Sequence, residues 1–180
     1  NRTIESFYKW SGGGRIPIFC DTTSCTHTLL FETGGDILTP ENREKYKQLK
    51  IMDITQWLKE VVLPRIKVIR PKNRILLHPT CSCQIMGLTP VLLDIARKCA
   101  REVILPDNWG CCGASGDRGF IFPELSDSAT RDERDEIGHE SFDGCYSLAR
   151  TCEIAMQDHI EQPYESIVYL VDETIQDQGT

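Results

Sequence analysis

The stretch NRILLHPTCSCQIMGLTPVLLDIARKCAREVILPDNWGCCG, residues 73–113, carries the architecture in miniature. It contains two short apolar runs, Ile75–Leu77 and Val103–Leu105, on either side of a segment with a different rhythm. In that middle segment Leu88, Val91, Leu92, Ile95 and Cys99 recur at spacings of three and four, which puts them on one face of a helix. A strand, a helix and a second strand in this order imply parallel strands joined by a crossover.

The same alternation continues outward. RIPIFCDT reads as a buried strand ending at Asp21, and IKVIRPKNRILLHPT as two strands around a turn at Pro71–Asn73. Between them, ENREKYKQLKIMDITQWLKEVVLPRI reads as one or two helices, with Thr39 or Thr55 as a cap and Pro64 interrupting the second. Downstream, PELSDSATRDERDEI is a charged helix, solvated over most of its surface. CYSLARTCEIAMQDH is expected to be a helix carrying Cys145, Leu148, Cys152 and Met156 on one face, and SIVYLVDE a closing strand. Ser11–Arg15, SGGGR, is expected to be a flexible joint. The expected fold is α/β and three-layered, a mainly parallel sheet flanked by helices, in a single domain over residues 1–180.

Composition narrows the function. The 180 residues are enough for one core, and a net charge of −7 argues against nucleic-acid binding, which needs patches of Lys and Arg. The most apolar run, Ile167–Val171, is too short to cross a membrane, so no transmembrane segment is expected. The chain opens at Asn1 and is expected to be a piece of a longer protein. Nine cysteines in a chain without a secretory signal favour metal or redox chemistry over a disulfide framework.

Their placement supports that reading. Cys25, Cys81 and Cys83, and Cys111 and Cys112, each follow the carboxyl end of an expected strand, the rim where open parallel sheets collect ligands. Thiolates are soft ligands that select iron–sulfur clusters and zinc. Adjacent Cys111 and Cys112 cannot readily join to each other, because the eight-membered ring departs from disulfide geometry. Gly113 lets the backbone turn and approach, and Arg118 is placed to offset thiolate charge near an expected helix start. Cys99 and Cys20 read as core thiols, Cys145 is open between core and ligand, and His78 reads as a hydrogen-bonded structural histidine in preference to a ligand.

GCCG at Gly110–Gly113 resembles the signature of the cysteine-rich, or CCG, domain found in heterodisulfide reductases and in the iron–sulfur component of glycolate oxidase. The spacing is similar: Cys81 precedes Cys111 by 30 positions and Cys152 follows Cys112 by 40. GCCGASGDRGFIFPELSDSA, YSLARTCEI and YESIVYLVDE further resemble the carboxyl-terminal end of FAD-linked D-2-hydroxyacid dehydrogenases of the D-lactate and D-2-hydroxyglutarate type. The final CxxC of the pattern is incomplete, since Ala149 stands where its first cysteine would be.

This resemblance implies a cytoplasmic electron-transfer domain, including a peripheral position at the inner face of the membrane. It would hold an iron–sulfur cluster of the [4Fe-4S] kind through Cys81, Cys111, Cys112 and Cys152, with Cys25 and Cys83 next. FAD would belong to a preceding domain, a ferredoxin-like domain would lie between, and a quinone or cytochrome would take the electrons. Dehydrogenase turnover would then be absent from this chain alone, and the cluster incompletely held or replaced by zinc. The other readings are a structural zinc or subunit-docking domain and a thiol–disulfide module; four thiolates suit tetrahedral zinc equally well.

Overall fold

The computed structural model describes residues 1–176. It opens with α1 (Arg2–Trp10), a tight glycine turn and β1 (Ile18–Cys20). Next come α2 (Thr23–His27), extended by a π-helical turn, α3 (Pro40–Gln48), β2 (Ile51–Asp53) and α4 (Ile54–Trp57), which runs on through further helical turns to Arg65. Then follow β3 (Lys67–Val68), β4 (Lys72–Leu77), α5 (Cys81–Ile85), α6 (Thr89–Cys99) and β5 (Ala100–Ile104). The last part is α7 (Arg118–Ile121), α8 (Pro123–Ile137), β6 (Gly144–Ser147), α9 (Arg150–Ile160), β7 (Tyr164–Ser166), α10 (Ile167–Thr174) and β8 (Ile175–Gln176).

The main sheet has the order β5-β4-β6-β7 and is parallel throughout. Its side chains alternate between two layers, as the pleat requires. Ile75, Leu77 and Tyr146 enter one core with Leu92, Ile95 and Cys99 of α6 and Ile167 and Leu170 of α10. Leu76, Cys145 and Tyr164 enter the other with Ile137 of α8 and Ala155 and Met156 of α9. Helices therefore cover both faces, and the fold is the expected three-layered α/β arrangement. Among the described residues no helix is long and apolar enough to cross a membrane.

Strand order fixes where a site forms. From β4 the chain crosses toward β5 on one side, and from β6 it crosses toward β7 on the other. The segments leaving the carboxyl ends of these two neighbouring strands diverge and leave a crevice between them. A second parallel pair, β1 and β2, lies against this rim: α2 packs on α5, and the Thr23 N–H donates to the Leu148 carbonyl at 3.3 Å.

Five expectations need correction. The strand at Ile18–Cys20 is not buried: Phe19 is exposed and Cys20 is half-buried and outside both core layers, because β1 has β2 as its sole strand neighbour among the described residues. Gly144–Ser147 is a strand, because it pairs with β4 on one side and β7 on the other, so the helix that follows starts only at Arg150. SIVYLVDE is mainly helix: Ser166 accepts from the Val168 N–H at 3.4 Å as the cap of α10, and the strand is the preceding Tyr164–Ser166. Lys67–Val68 pairs with β8, not with β4. Ser11–Arg15 is a packed turn, not a joint: Ser11 is buried, its Oγ accepts from the Gly14 N–H at 2.9 Å, and a Cβ on Gly14 (φ +80°) would come within 1.9 Å of the Gln48 carbonyl. Of the two candidate caps, Thr39 holds α3, accepting from Asn42 N–H, whereas α4 is capped by Asp53 in a reciprocal pair with Gln56.

Cys99 is fully buried on the α6 stripe, as a core thiol should be. Cys99→Ala is expected to cost about 1–2 kcal/mol of stability through the small cavity left behind. Urea denaturation followed by circular dichroism measures this, and an unchanged midpoint would show that the thiol contributes nothing to packing.

Candidate metal centre

The thiols that gather do so because three crossover segments meet at one rim. Thr80 caps α5, its Oγ accepting from the Cys83 N–H at 3.2 Å, and so sets Cys81 at the first position of that helix, just beyond β4. Cys111 and Cys112 lie in the loop between β5 and α7, and Cys152 in the first turn of α9. Cys81 lies near enough to Cys111, and Cys111 to Cys112, for each to perturb the ionisation of its neighbour. Cys112 Sγ and Cys152 Sγ are 2.9 Å apart. Cys81 and Cys111 are exposed, whereas Cys112 and Cys152 are buried.

The loop that carries the adjacent cysteines is shaped by backbone that few side chains tolerate. Gly113 (φ +73°), Ser115 (φ +43°) and Gly116 (φ +75°) all adopt positive φ. A Cβ at Gly113 would approach the Leu125 carbonyl oxygen to 2.6 Å, so glycine is required for the loop to rest on α8. The Gly113 N–H donates to Cys111 Sγ at 3.4 Å, and backbone N–H groups at Ala114 and Ser82 serve Cys112 and Cys81. Such N–H···S contacts favour the ionised sulfur.

Without a cation the mutual proximity of the thiols works the other way. Contact with Cys112, followed by burial, holds the Cys111 thiol well above its ordinary value, against the pull of the Gly113 N–H and of Cys81. Contact with Cys111 favours ionisation of Cys112, but hydrogen bonding to Cys152 and burial outweigh it and push Cys112 up to about 12. Burial and then the neighbouring Cys111 raise Cys81. Ionising these thiols needs positive charge beside them, which a metal would supply.

The donor chemistry fits a thiophilic metal: four thiols, three of them served by backbone N–H groups. The spacing is not yet that of a metal site. Among the described residues no group of three or more His, Cys, Asp or Glu side chains is set to hold a metal ion. Two thiolates on one tetrahedral zinc stand about 3.8 Å apart, given bonds of about 2.3 Å. Cys112 and Cys152 would have to part, and the four thiols would have to converge.

The remaining expected residues lie elsewhere. Cys83 is two residues from Cys81 on the short α5, so it faces the opposite way: it is fully buried in the α6 core, 3.9 Å from Thr89 Oγ1, with burial pushing its thiol up to about 12. Cys25 lies on α2, which packs against α5, but it is exposed and beside Cys20. Arg118 is exposed at the start of α7, a helix of only four residues, and it is the loop amides that face the thiols. Cys145 is a core thiol, raised to about 12 by burial. Ala149, in the place of the absent cysteine, is buried in the same layer as Cys112 and Cys152.

His78 is the hydrogen-bonded structural histidine that the sequence suggests, and its partner is Glu133. His78 Nδ1 meets the Glu133 carboxylate at 2.9 and 3.1 Å, and both side chains are almost wholly buried. The Ser147 hydroxyl donates to the His78 carbonyl at 2.8 Å, and Tyr164 stands edge-on to the imidazole at 6.5 Å. Glu133 falls on the buried stripe of α8 with Ser126, Thr130 and Ile137. That stripe was hard to read because three of its four members are polar. Beside the thiols, on the β1–β2 side, a cleft of about 720 Å³ is lined by Phe19, Asp21, Trp57, Arg150, Glu153 and Glu165, among others.

The chain matches no protein-family model and no curated protein.

Glu133→Ala is expected to cost about 2–3 kcal/mol, since it strands the buried imidazole N–H. Glu133→Gln keeps an acceptor oxygen and should recover at least half of the loss. Equal losses in the two variants, measured by thermal or urea unfolding, would show that an acceptor for His78 is not what Glu133 contributes.

Proposed function

We propose that this chain is an iron–sulfur electron-transfer domain of the CCG type, with Cys81, Cys111, Cys112 and Cys152 as its ligands. The observation that carries the reading is the 2.9 Å contact of Cys112 Sγ with Cys152 Sγ, with Cys111 and Cys81 as neighbouring thiols, at the crevice beyond β4 and β6. The four thiols combine residues 30 and 40 positions apart, the spacing of the family that the sequence resembles. Backbone N–H groups around them suit sulfur that is negatively charged when a metal is bound.

The wider reading is that the domain serves a flavin-linked D-2-hydroxyacid dehydrogenase. When bound, the cluster would supply one-electron acceptance and donation, and the hydride chemistry would belong to FAD elsewhere in the parent protein. This chain's own part is to supply the thiolates, to shield the inner two from water, and to leave the outer two at the surface, where electrons must enter and leave. Phe120, Ile121 and Phe122 are exposed immediately after the cysteine loop, and apolar side chains displayed there suit docking against the flavin and ferredoxin-like domains or against a quinone or cytochrome partner.

The test is anaerobic reconstitution of the chain with ferrous iron and sulfide, followed by analysis of iron, acid-labile sulfide and zinc and by electron paramagnetic resonance. Iron with an equal amount of sulfide is expected, and Cys112→Ser and Cys152→Ser should lower it at least fivefold. Zinc without sulfide would favour the structural reading. Iron uptake equal in wild type and both variants would overturn the proposed ligands.

A further inference from the structure

Cys112 and Cys152 hold their sulfurs at 2.9 Å, inside the ~3.8 Å that two thiolates keep on one tetrahedral metal and outside the ~2.05 Å of a disulfide. The contact lies about midway between the two states. We infer that, with no metal bound, this pair is a redox-active dithiol that closes reversibly to a disulfide when oxidised by a peroxide.

Several features make this pair suited to closure. Both residues are buried in the same core layer, which also holds the small side chains of Ala149 and Ala155. They belong to separate crossover segments, the loop after β5 and the first turn of α9, so the bond closes a large ring without the strain of the vicinal Cys111–Cys112 pair. Closure to a disulfide needs the sulfurs to approach by less than about 1 Å, which side-chain rotation about χ1 can supply without moving the loop that Gly113 packs on α8. Exposed Cys111 adjoins the buried pair, so the site is a short way from solvent.

The chemistry balances with hydrogen peroxide as the oxidant. One thiol sulfur takes a hydroxyl as the O–O bond breaks, becoming a sulfenic acid and releasing water. The second thiol attacks that sulfur, the S–S bond forms, and a second water leaves. Two thiols and one peroxide give one disulfide and two waters. A disulfide has no thiolate left to ligate, so closure and metal ligation through these two sulfurs exclude each other. The inference stands on the sulfur–sulfur contact and does not depend on the metal being iron.

The test uses the whole chain, stripped of metal with a chelator under reductant, desalted anaerobically and treated with one equivalent of hydrogen peroxide. Titratable thiols, counted after unfolding, are expected to fall from nine to seven. Non-reducing mass spectrometry should show tryptic peptides 102–118 and 151–180 cross-linked, and dithiothreitol should restore all nine thiols. Because peptide 102–118 carries both Cys111 and Cys112, Cys111→Ser must keep the cross-link and Cys112→Ser must abolish it. A cross-link between any other cysteines, a titre that stays at nine, or sulfinic acid in place of a disulfide would overturn the inference. None of these readouts involves metal uptake, so a failure here is separate from a failure of reconstitution.

Discussion

Parallel pairing of β4 with β5 on one edge and β6 on the other governs the geometry of the whole molecule. Parallel neighbours cannot be joined by a tight turn, so each connection must cross a face of the sheet and return to the same end. Every segment leaving β4, β5 or β6 therefore starts at one rim. Cys81, the adjacent Cys111 and Cys112, and Cys152 come from three such segments. Hydrogen bonding continues past the formal end of β4, where the His78 N–H donates to the Tyr146 carbonyl at 3.0 Å and Ser147 reaches the His78 carbonyl. This extension holds the two sides of the crevice at a fixed separation.

Burial then sorts the cysteines into two kinds. Cys83, Cys99 and Cys145 each sit in an apolar layer, and for each of them burial is the leading reason that the thiol is held above its ordinary value. They behave as small hydrophobic side chains. Cys111 and Cys112 differ in kind, because their leading influence is another sulfur. Packing alone gives no reason to set polarisable, ionisable groups side by side at a rim. The buried His78–Glu133 pair lies on the face of the sheet that carries Cys112 and Cys152, tying β4 to α8 beneath the rim.

Much of this was legible in the residues. The Leu88–Cys99 stripe, the apolar runs of β4 and β5 and the charged periodicity of α8 each carry a local signal strong enough to identify the element. GCCG and its spacing from Cys81 and Cys152 drew attention to the thiols that the fold brings together. What misled was local in the same sense. CYSLARTCEIAMQDH has continuous helical spacing from Cys145 to Met156, yet Gly144–Ser147 gains two strand neighbours, and that pairing outweighs local preference. SIVYLVDE is rich in β-branched residues, yet Ser166 caps a helix whose Ile167, Leu170, Val171 and Thr174 are buried at helical spacing.

Fold class, the run of crossovers and the thiol chemistry on offer can be read from the residues alone, since they follow from periodicity, strand ends and residue type. Which thiols meet is a tertiary matter. Cys81 and Cys83 differ by two positions, and a helical turn sends one to the rim and the other to the core. Cys112 and Cys152 are 40 positions apart, and strand register brings their sulfurs to 2.9 Å. Glu133 belongs to a helix of almost wholly polar composition, and its partner His78 is 55 positions away. Contacts of this kind are set by the register and crossing of whole elements, which depends on the summed burial of both core layers and is not encoded at the contacting residues themselves.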